Sequence, residues 1–292
     1  MASTYTNPAA GRYGRPGMSG ELRERPVAQR GARHDRSKAA MDLALALLLL
    51  IPAGVAIAVL TLLVRATSRG SGIYRQERVG KDGRRFIMFK IRTMAVNAES
   101  HTGPVWTQPN DARVTPLGRI LRKLHLDELP QIFNVLRGEM SFVGPRPERP
   151  EFVRVLSEAI PQYRDRHAVR PGITGLAQID LPPDTDLQSV RRKLVLDLDY
   201  IERGNLWLDT RLLLCTALRI VKIHEGVLTW ILGLRRPEQL AVLEQTFEAQ
   251  SSAQEATPET ILLQAANVAA SDRHLTMFPH REPNFVTSRK PR

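Results

Sequence analysis

Asp127 and Glu128 stand side by side in "HLDELPQIFNVLRG" (125–138), with basic residues on both sides. Adjacent acids in basic surroundings have two chemical uses around phosphate. One carboxylate can attack phosphorus and form an acyl-phosphate. The other can hold Mg²⁺, which takes carboxylate oxygens together with substrate phosphates and neutralises a leaving diphosphate. Nearby Arg and Lys would favour the ionised acids. Neighbours on a helix diverge by about 100°, so the two carboxylates can face different parts of one ligand. A plainer reading is helix capping, with Asp127 as N-cap, Pro130 in the first turn and Gly138 at the end.

The cations that could complete such a centre are scattered. Lys90 and Arg92 close a strand pair, and Arg119, Arg122 and Lys123 precede the acids. Arg146 lies between Pro145 and Pro147, and Arg170 precedes a Pro-Gly pair. A guanidinium on a backbone restricted by two prolines loses little entropy when it binds phosphate bidentately. Each of these alone could be solvated surface; together, beside two acids, they describe a phosphate-handling centre. No phosphate loop of the Walker or Rossmann type is present, and no His/Cys cluster has metal-ligand spacing.

The elements that must position these residues follow from the pattern. "GIYRQERVGKDGRRFIMFKIRTM" holds two strand-like runs around Asp82-Gly83, a hairpin signal. Residues 117–138 read as helix interrupted near the acidic pair, and 188–202 and 206–223 as further helices. "SFVGPRPERP" and "VRPGITGLAQI" read as loops set by Pro and Gly. In 206–223 an apolar surface with Trp207 is edged by Arg211, Arg219 and Lys222, which suits either a helix at headgroup level or a core helix with a solvated edge.

Met41–Val64 is an apolar run of 24 residues with one charge, Asp42, long enough for a bilayer at about 36 Å as a straight helix. It begins too far into the chain for a secretory signal and lacks a cleavage pattern. Both flanks are basic: 1–38 holds eight Arg and Lys against three acids, and 65–81 holds five more basic residues. Cytoplasmic flanks are the basic ones. With Pro52 near the midpoint, the segment either enters, bends and leaves on one side or spans as a kinked helix. The formal net charge of +12 calls for an anionic partner, and the lone Cys215 excludes a disulfide framework.

In order along the chain, Lys38 with Asp42, "YRQERVGKDGRRFIMFKIRTM", "RVTPLGRILRKLHLDELPQIFNVLRGEMSFVGPRP", "RPGITGLAQI" and "LWLDTRLLLCTAL" resemble the bacterial polyprenyl-phosphate sugar-1-phosphate transferases with a small monotopic core. The resemblance covers roughly 38–222. It implies Asp127 as nucleophile on the sugar-bearing phosphate of a UDP-sugar, with UMP leaving, and Glu128 as the Mg²⁺ partner. Lys90 and Arg122 match cationic positions near the phosphates, and Arg146 matches the nucleotide site; Arg92 and Arg170 are further phosphate-binding candidates. The phosphosugar would pass to undecaprenyl phosphate and start a polysaccharide or glycoconjugate. The membrane segment of this family is re-entrant, so the resemblance implies an inner-membrane protein with its catalytic domain facing the cytoplasm. Three positions depart from the commonest pattern: Ile51 before Pro52 where Ser is frequent, His125 where Ser is frequent, and "IDLPPDTD" where Gly-Arg often follows Gln178.

The expected fold is α+β and mainly helical: a monotopic protein with a re-entrant N-terminal helix, a small β-hairpin and amphipathic surface helices. The expected organisation is a disordered basic tail at 1–37, a membrane helix at 38–66 kinked at Pro52, a cytosolic catalytic domain at 67–232 and a largely disordered tail at 233–292. The partners expected are the UDP-sugar, undecaprenyl phosphate and membrane lipid, with a second copy of the chain left open. Nucleic acid is not expected, because binding it would leave the apolar segment and the acidic pair without a purpose. The competing reading is a non-catalytic membrane scaffold for glycan assembly.

Overall fold

A computed structural model describes residues 27–98, 111–160, 162–220, 229, 232–237 and 240–241. Helix α1 (Val27–Thr67) is continuous through Pro52 and starts at Val27 rather than at 38. Ala, Gln and Arg before Lys38 are good helix formers, so the apolar helix extends backward into the basic flank. The rest of the expected tail, 1–26, lies outside the described residues. Asp35–Thr67 is long and apolar enough to cross a membrane.

One stripe of α1 is buried on the domain: Lys38, Asp42, Ala46, Ile57 and Val64, mostly at helical repeats. The remaining surface is bare hydrocarbon, with Leu48 73% and Ile51 78% exposed and Val55, Val59 and Leu62 beside them. An apolar face of that extent, on a helix long and apolar enough to cross a membrane, is a candidate membrane contact. Polar groups fasten the two ends. Lys38 Nζ donates to Asp209 Oδ2 at 2.9 Å, and Asp42 Oδ1 accepts from Ser141 Oγ at 3.0 Å and Phe142 N at 3.1 Å. At the other end the Arg92 guanidinium donates to Ser68 O at 3.0 Å and to Arg69 O.

The hairpin forms where Asp82-Gly83 predicted it. Strands β1 (Ile73–Val79) and β2 (Arg85–Ile91) pair antiparallel from Ile73↔Ile91 to Val79↔Arg85. Asp82 (φ 56°) and Gly83 (φ 75°) supply the two positive φ values of the tight turn. Helices α2 (Pro116–Lys123) and α3 (Ile132–Leu136) flank a 3-10 turn at Leu126–Gln131, so 117–138 is the interrupted helix expected. Buried Asn134 ties α3 to β2: its Oδ1 accepts from Phe89 N at 3.2 Å and its Nδ2 donates to Ile87 O at 2.7 Å.

The two Pro/Gly segments expected as loops contain short strands. Strand β3 (Ser141–Val143) pairs parallel with β4 (Gly172–Thr174), Ser141 against Gly172 and Val143 against Thr174. Three-residue strands leave no periodic trace in sequence. The backbones also approach too closely for side chains: a Cβ on Gly172 would lie 2.1 Å from Gly144 N. Helix α4 (Pro150–Ala159) follows β3, and α5 (Leu176–Asp180) follows β4.

Helices α6 (Leu187–Arg203) and α7 (Leu206–Ile220) complete the domain, α6 starting in a capping box between Asp186 and Ser189. On α7, Leu208, Leu212 and Cys215 are sealed in the core while Trp207 is 68% exposed, which is a core helix with an open edge. The chain stays packed past 232. Leu234 is fully buried in that core, and Arg236 Nε donates to Asp199 Oδ2 at 3.0 Å. Residues 242–292 lie outside the described residues.

Candidate active site

Thr115 Oγ1 caps α2 by accepting from Gly118 N at 2.9 Å, and the helix stops at Leu124. His125 then turns left-handed (φ 55°), which re-aims the chain and begins the 3-10 turn carrying Asp127 and Glu128. The capping reading fails at this point. The residue at the cap position is His125, with no side-chain cap, and Asp127 lies inside the turn. Gly138 (φ 72°) does follow the end of α3.

The two acids sit in contrasting surroundings. Glu128 Oε1 accepts from Lys90 Nζ at 2.9 Å and from Arg146 Nη2 at 2.8 Å. Burial opposes its charge, but Arg146 and Lys90 overcome that and hold its carboxyl far below the usual carboxylate range. Asp127 is 7% exposed, and among the described residues no hydrogen bond or ion pair engages its carboxylate. Burial raises its pKa, with Glu128 adding to the effect and Lys90, Arg122 and Arg146 pulling the other way. One acid is therefore locked as an anion, and its neighbour is desolvated with lone pairs uncommitted. Two carboxylates pushed apart in this way mark separate chemical roles.

Around them the structure gathers three of the five cations expected. Lys90 and Arg146 touch Glu128 directly. Arg122 reaches the site from α2, its Nε donating to Thr93 Oγ1 at 2.8 Å. Arg92 is placed elsewhere. It is 8% exposed and spent on the carbonyls of Ser68 and Arg69, where a cation satisfies the open end of α1. Arg170 lines a separate cavity with Lys38, Asp42 and Tyr200, beside the opposite end of α1. Arg92 lies just past the end of β2 at Ile91, where its guanidinium turns to α1, and Arg170 lines the cavity beside the other end of that helix.

Several residues missed from sequence fix Arg146. Gln178 Oε1 accepts from its Nη1 at 2.9 Å. The Arg146 carbonyl accepts from Arg166 Nη2 at 3.0 Å, and the next carbonyl, Pro147 O, accepts from Arg78 Nη1 at 2.9 Å. Arg166 is itself held by Asp197 Oδ2, at 2.7 and 3.1 Å, and by the Tyr163 hydroxyl at 2.9 Å. The Pro-Arg-Pro backbone is thus clamped by two guanidiniums, buried Arg166 and half-buried Arg78. Gln178 had a signal in its Gly-rich loop; nothing local in the sequence marks Arg166 or Asp197.

The chain from 33 to 223 matches the family model for the bacterial sugar transferase. The chain belongs to the bacterial sugar transferase family. Among curated relatives it is similar to the UDP-glucose:undecaprenyl-phosphate glucose-1-phosphate transferase of Xanthomonas campestris pv. campestris, 41% identical over 187 residues, covering 63% of this chain and 39% of that protein. A UDP-N-acetylgalactosamine-undecaprenyl-phosphate N-acetylgalactosaminephosphotransferase of Aeromonas hydrophila is 44% identical over 159 residues, 54% of this chain and 37% of its own length. The Caulobacter vibrioides UDP-glucose:undecaprenyl-phosphate glucose-1-phosphate transferase is 39% identical over 187 residues, 63% of this chain and 69% of its own length. The chain thus spans well under half of the first two relatives. The matched region contains both acids, all three gathered cations and the whole of α1 from residue 33 onward.

Proposed function

We propose that this sugar transferase moves a sugar-1-phosphate from a UDP-sugar to undecaprenyl phosphate through a phosphosugar carried on Asp127. The observation that carries the reading is the pairing of an unengaged, desolvated Asp127 with a Glu128 clamped between Lys90 and Arg146. The names of its relatives support the substrates. In the first step an Asp127 oxygen bonds to the sugar-bearing phosphorus. The bond from that phosphorus to the bridging oxygen breaks, and UMP leaves with the electron pair. In the second step a phosphate oxygen of the lipid attacks the same phosphorus. The acyl-phosphate bond breaks, Asp127 is restored as carboxylate, and a lipid-linked sugar diphosphate results. Lys90, Arg122 and Arg146 bind the diphosphate and stabilise charge developing on it.

Magnesium fits this centre as an ion shared with substrate. Both cations meet Glu128 through Oε1, and Mg²⁺ commonly takes one or two carboxylates completed by water and phosphate oxygens. Glu128 would be the protein's ligand. Bound there, the ion would neutralise charge on the departing phosphate.

Both ends of α1 are fastened to one domain, at Lys38 and Asp42 and again at Ser68 and Arg69. In a straight spanning helix Lys38 and Ser68 would be about 45 Å apart on opposite faces of the bilayer. This supports a re-entrant segment with both flanks on the cytoplasmic side of the inner membrane. Cysteines placed at Ser19 and Ser71 should both resist an impermeant maleimide in intact cells and react after lysis. Labelling of Ser19→Cys alone in intact cells would mean a spanning helix.

The reaction is tested with the purified full chain, Mg²⁺, undecaprenyl phosphate and a panel of UDP-sugars. UMP release is expected. Without the lipid, a phosphosugar adduct should appear on the peptide containing Asp127 by mass spectrometry. The proposal is overturned if the adduct persists in Asp127→Asn or if no UDP-sugar yields UMP.

A further inference from the structure

Beyond Arg146 and Gln178 the domain opens into a cleft that faces solvent, between α4, the Tyr163–Ala168 turn and α6. Arg146 belongs both to this cleft and to the Glu128 cluster, so the cleft begins where the acidic pair ends. A diphosphate lying on Lys90 and Arg146 would send one of its two substituents into it.

Besides Arg146 and Gln178 at its mouth, and Glu148, whose carboxylate lies 3.5 Å from Arg78, the polar groups of the cleft fall into two kinds. Its floor is the Arg166–Asp197 pair, with side chains 8% and 4% exposed and already committed to each other, to Tyr163 and to the Arg146 carbonyl. Its rim is Asp184 and Lys193, which share one contact of 2.9 Å and are 18% and 19% exposed. An ammonium has three donors and a carboxylate about four acceptor sites, so that pair can take further hydrogen bonds without being broken. The rim is also rigid. Asp184 lies two residues before the capping box of α6, where Asp186 Oδ1 accepts from Ser189 N at 2.7 Å, and Lys193 stands one turn further along the same helix.

The chemistry of this wall separates the two halves of a UDP-sugar. A pyrimidine has one N–H, two carbonyls and a flat face that looks for a ring to stack on. The one ring lining the cleft, Tyr163, is buried beneath the Arg166 guanidinium. A hexose presents several hydroxyls, each both donor and acceptor, which match a carboxylate and an ammonium held side by side. Leu156, Val190 and Leu194 back the cleft from the core, so what it offers a ligand is polar.

We propose that this cleft receives the sugar of the UDP-sugar, and that Asp184 and Lys193 read its hydroxyls and so select which hexose or acetamido-hexose is used. The proposal rests on the UDP-sugar reading above, and its test does not need turnover. UDP-glucose, UDP-N-acetylgalactosamine and UMP are titrated calorimetrically against the full chain carrying Asp127→Asn, alone and with Asp184→Asn or Lys193→Met. Sites built to hydrogen-bond a hydroxyl discriminate strongly, and a hydrogen bond to a charged group corresponds to about ten- to a hundredfold in affinity. Each added substitution is therefore expected to change the affinity ratio of the two UDP-sugars by about tenfold or more, while UMP affinity moves less than about twofold. An equal loss for UMP would assign the cleft to the nucleotide and overturn the proposal. Unchanged ratios would make the pair structural and overturn it too. Should either variant melt early, Asp184→Glu and Lys193→Arg keep the charges while shifting their reach, and the same ratio decides. If binding discriminates as expected but no UMP is ever released, the transfer reading fails and the sugar site stands.

Discussion

Two charged clusters lie within one small domain, and they are solved oppositely. Around Asp197, Arg166 finds its carboxylate, the Tyr163 hydroxyl and a backbone carbonyl, and the ion pair closes on itself. Around Glu128 two cations converge on one acid while a second acid, Asp127, has no hydrogen-bond partner among the described residues. Both clusters draw acids and guanidiniums largely out of water, although Arg146 stays 42% exposed. Burying a charge without a partner is costly, so a fold tolerates it only where the surroundings force it. The unbalanced cluster is the one that can react, and the balanced one holds it in place.

That contrast breaks most visibly at Asp127. Asp127→Asn should lower UMP release by more than about 10⁴-fold, as losses of a nucleophile do. It should not lower stability at neutral pH. The native pKa of Asp127 is raised, so its ionised form disfavours folding above the ordinary carboxylate range, and that penalty fades as pH falls. Thermal melts at pH 7 and pH 4 check this: the variant should match or exceed wild type at the higher pH, with the gap closing at the lower.

Glu128→Gln should behave oppositely in stability. It leaves Lys90 and Arg146 facing a neutral amide, at a cost of about 1–3 kcal/mol, since Arg146 is 42% exposed and water screens part of the loss. Because the Glu128 carboxyl is held far below its ordinary value of 4.5, its charge stabilises the fold above that pH, and the gain is lost as pH falls below it. Urea titrations should therefore show a large deficit at pH 7 that narrows toward acid, with kcat reduced about 10²-fold or more.

A smaller effect is expected from Arg166→Lys, which keeps the charge against Asp197 but loses the fork that also reaches the Arg146 carbonyl. KM for the UDP-sugar should rise about tenfold with kcat changed much less, because Arg146 is displaced while the acids are not. A loss in kcat alone would point to a direct role in the chemistry. Smallest should be Arg92→Ala. Activity per folded molecule should stay within about twofold, and stability should fall by about 1–2 kcal/mol as the last carbonyls of α1 lose their donor.

Legibility in the sequence followed locality. The hairpin turn at Asp82-Gly83, the break around the acidic pair and the helices at 187–203 and 206–220 are set by neighbours in the chain, and all were readable. The acidic pair was readable because two adjacent acids are rare inside so basic a stretch. Arg92 and Arg170 were misplaced because a basic residue near a motif carries no direction. Lys90 and Arg92 are two apart, yet one meets Glu128 and the other the end of α1. The β3–β4 pairing and the Arg166–Asp197 clamp join residues about 30 apart, and nothing local announces such contacts.

The fastening of Lys38 to Asp209 has a consequence in time. The two residues are 171 apart in sequence, so the apolar helix leaves the ribosome long before its anchor exists. At about 5–20 residues per second that interval is roughly ten to thirty seconds. During it Lys38 and Asp42 must be kept hydrated or held by a chaperone, since both end up buried. A chain stopped after Arg203 should therefore be degraded quickly in pulse-chase, and one stopped after Ala241 should persist. For this protein, synthesis through α7 is a checkpoint that the membrane segment has to survive.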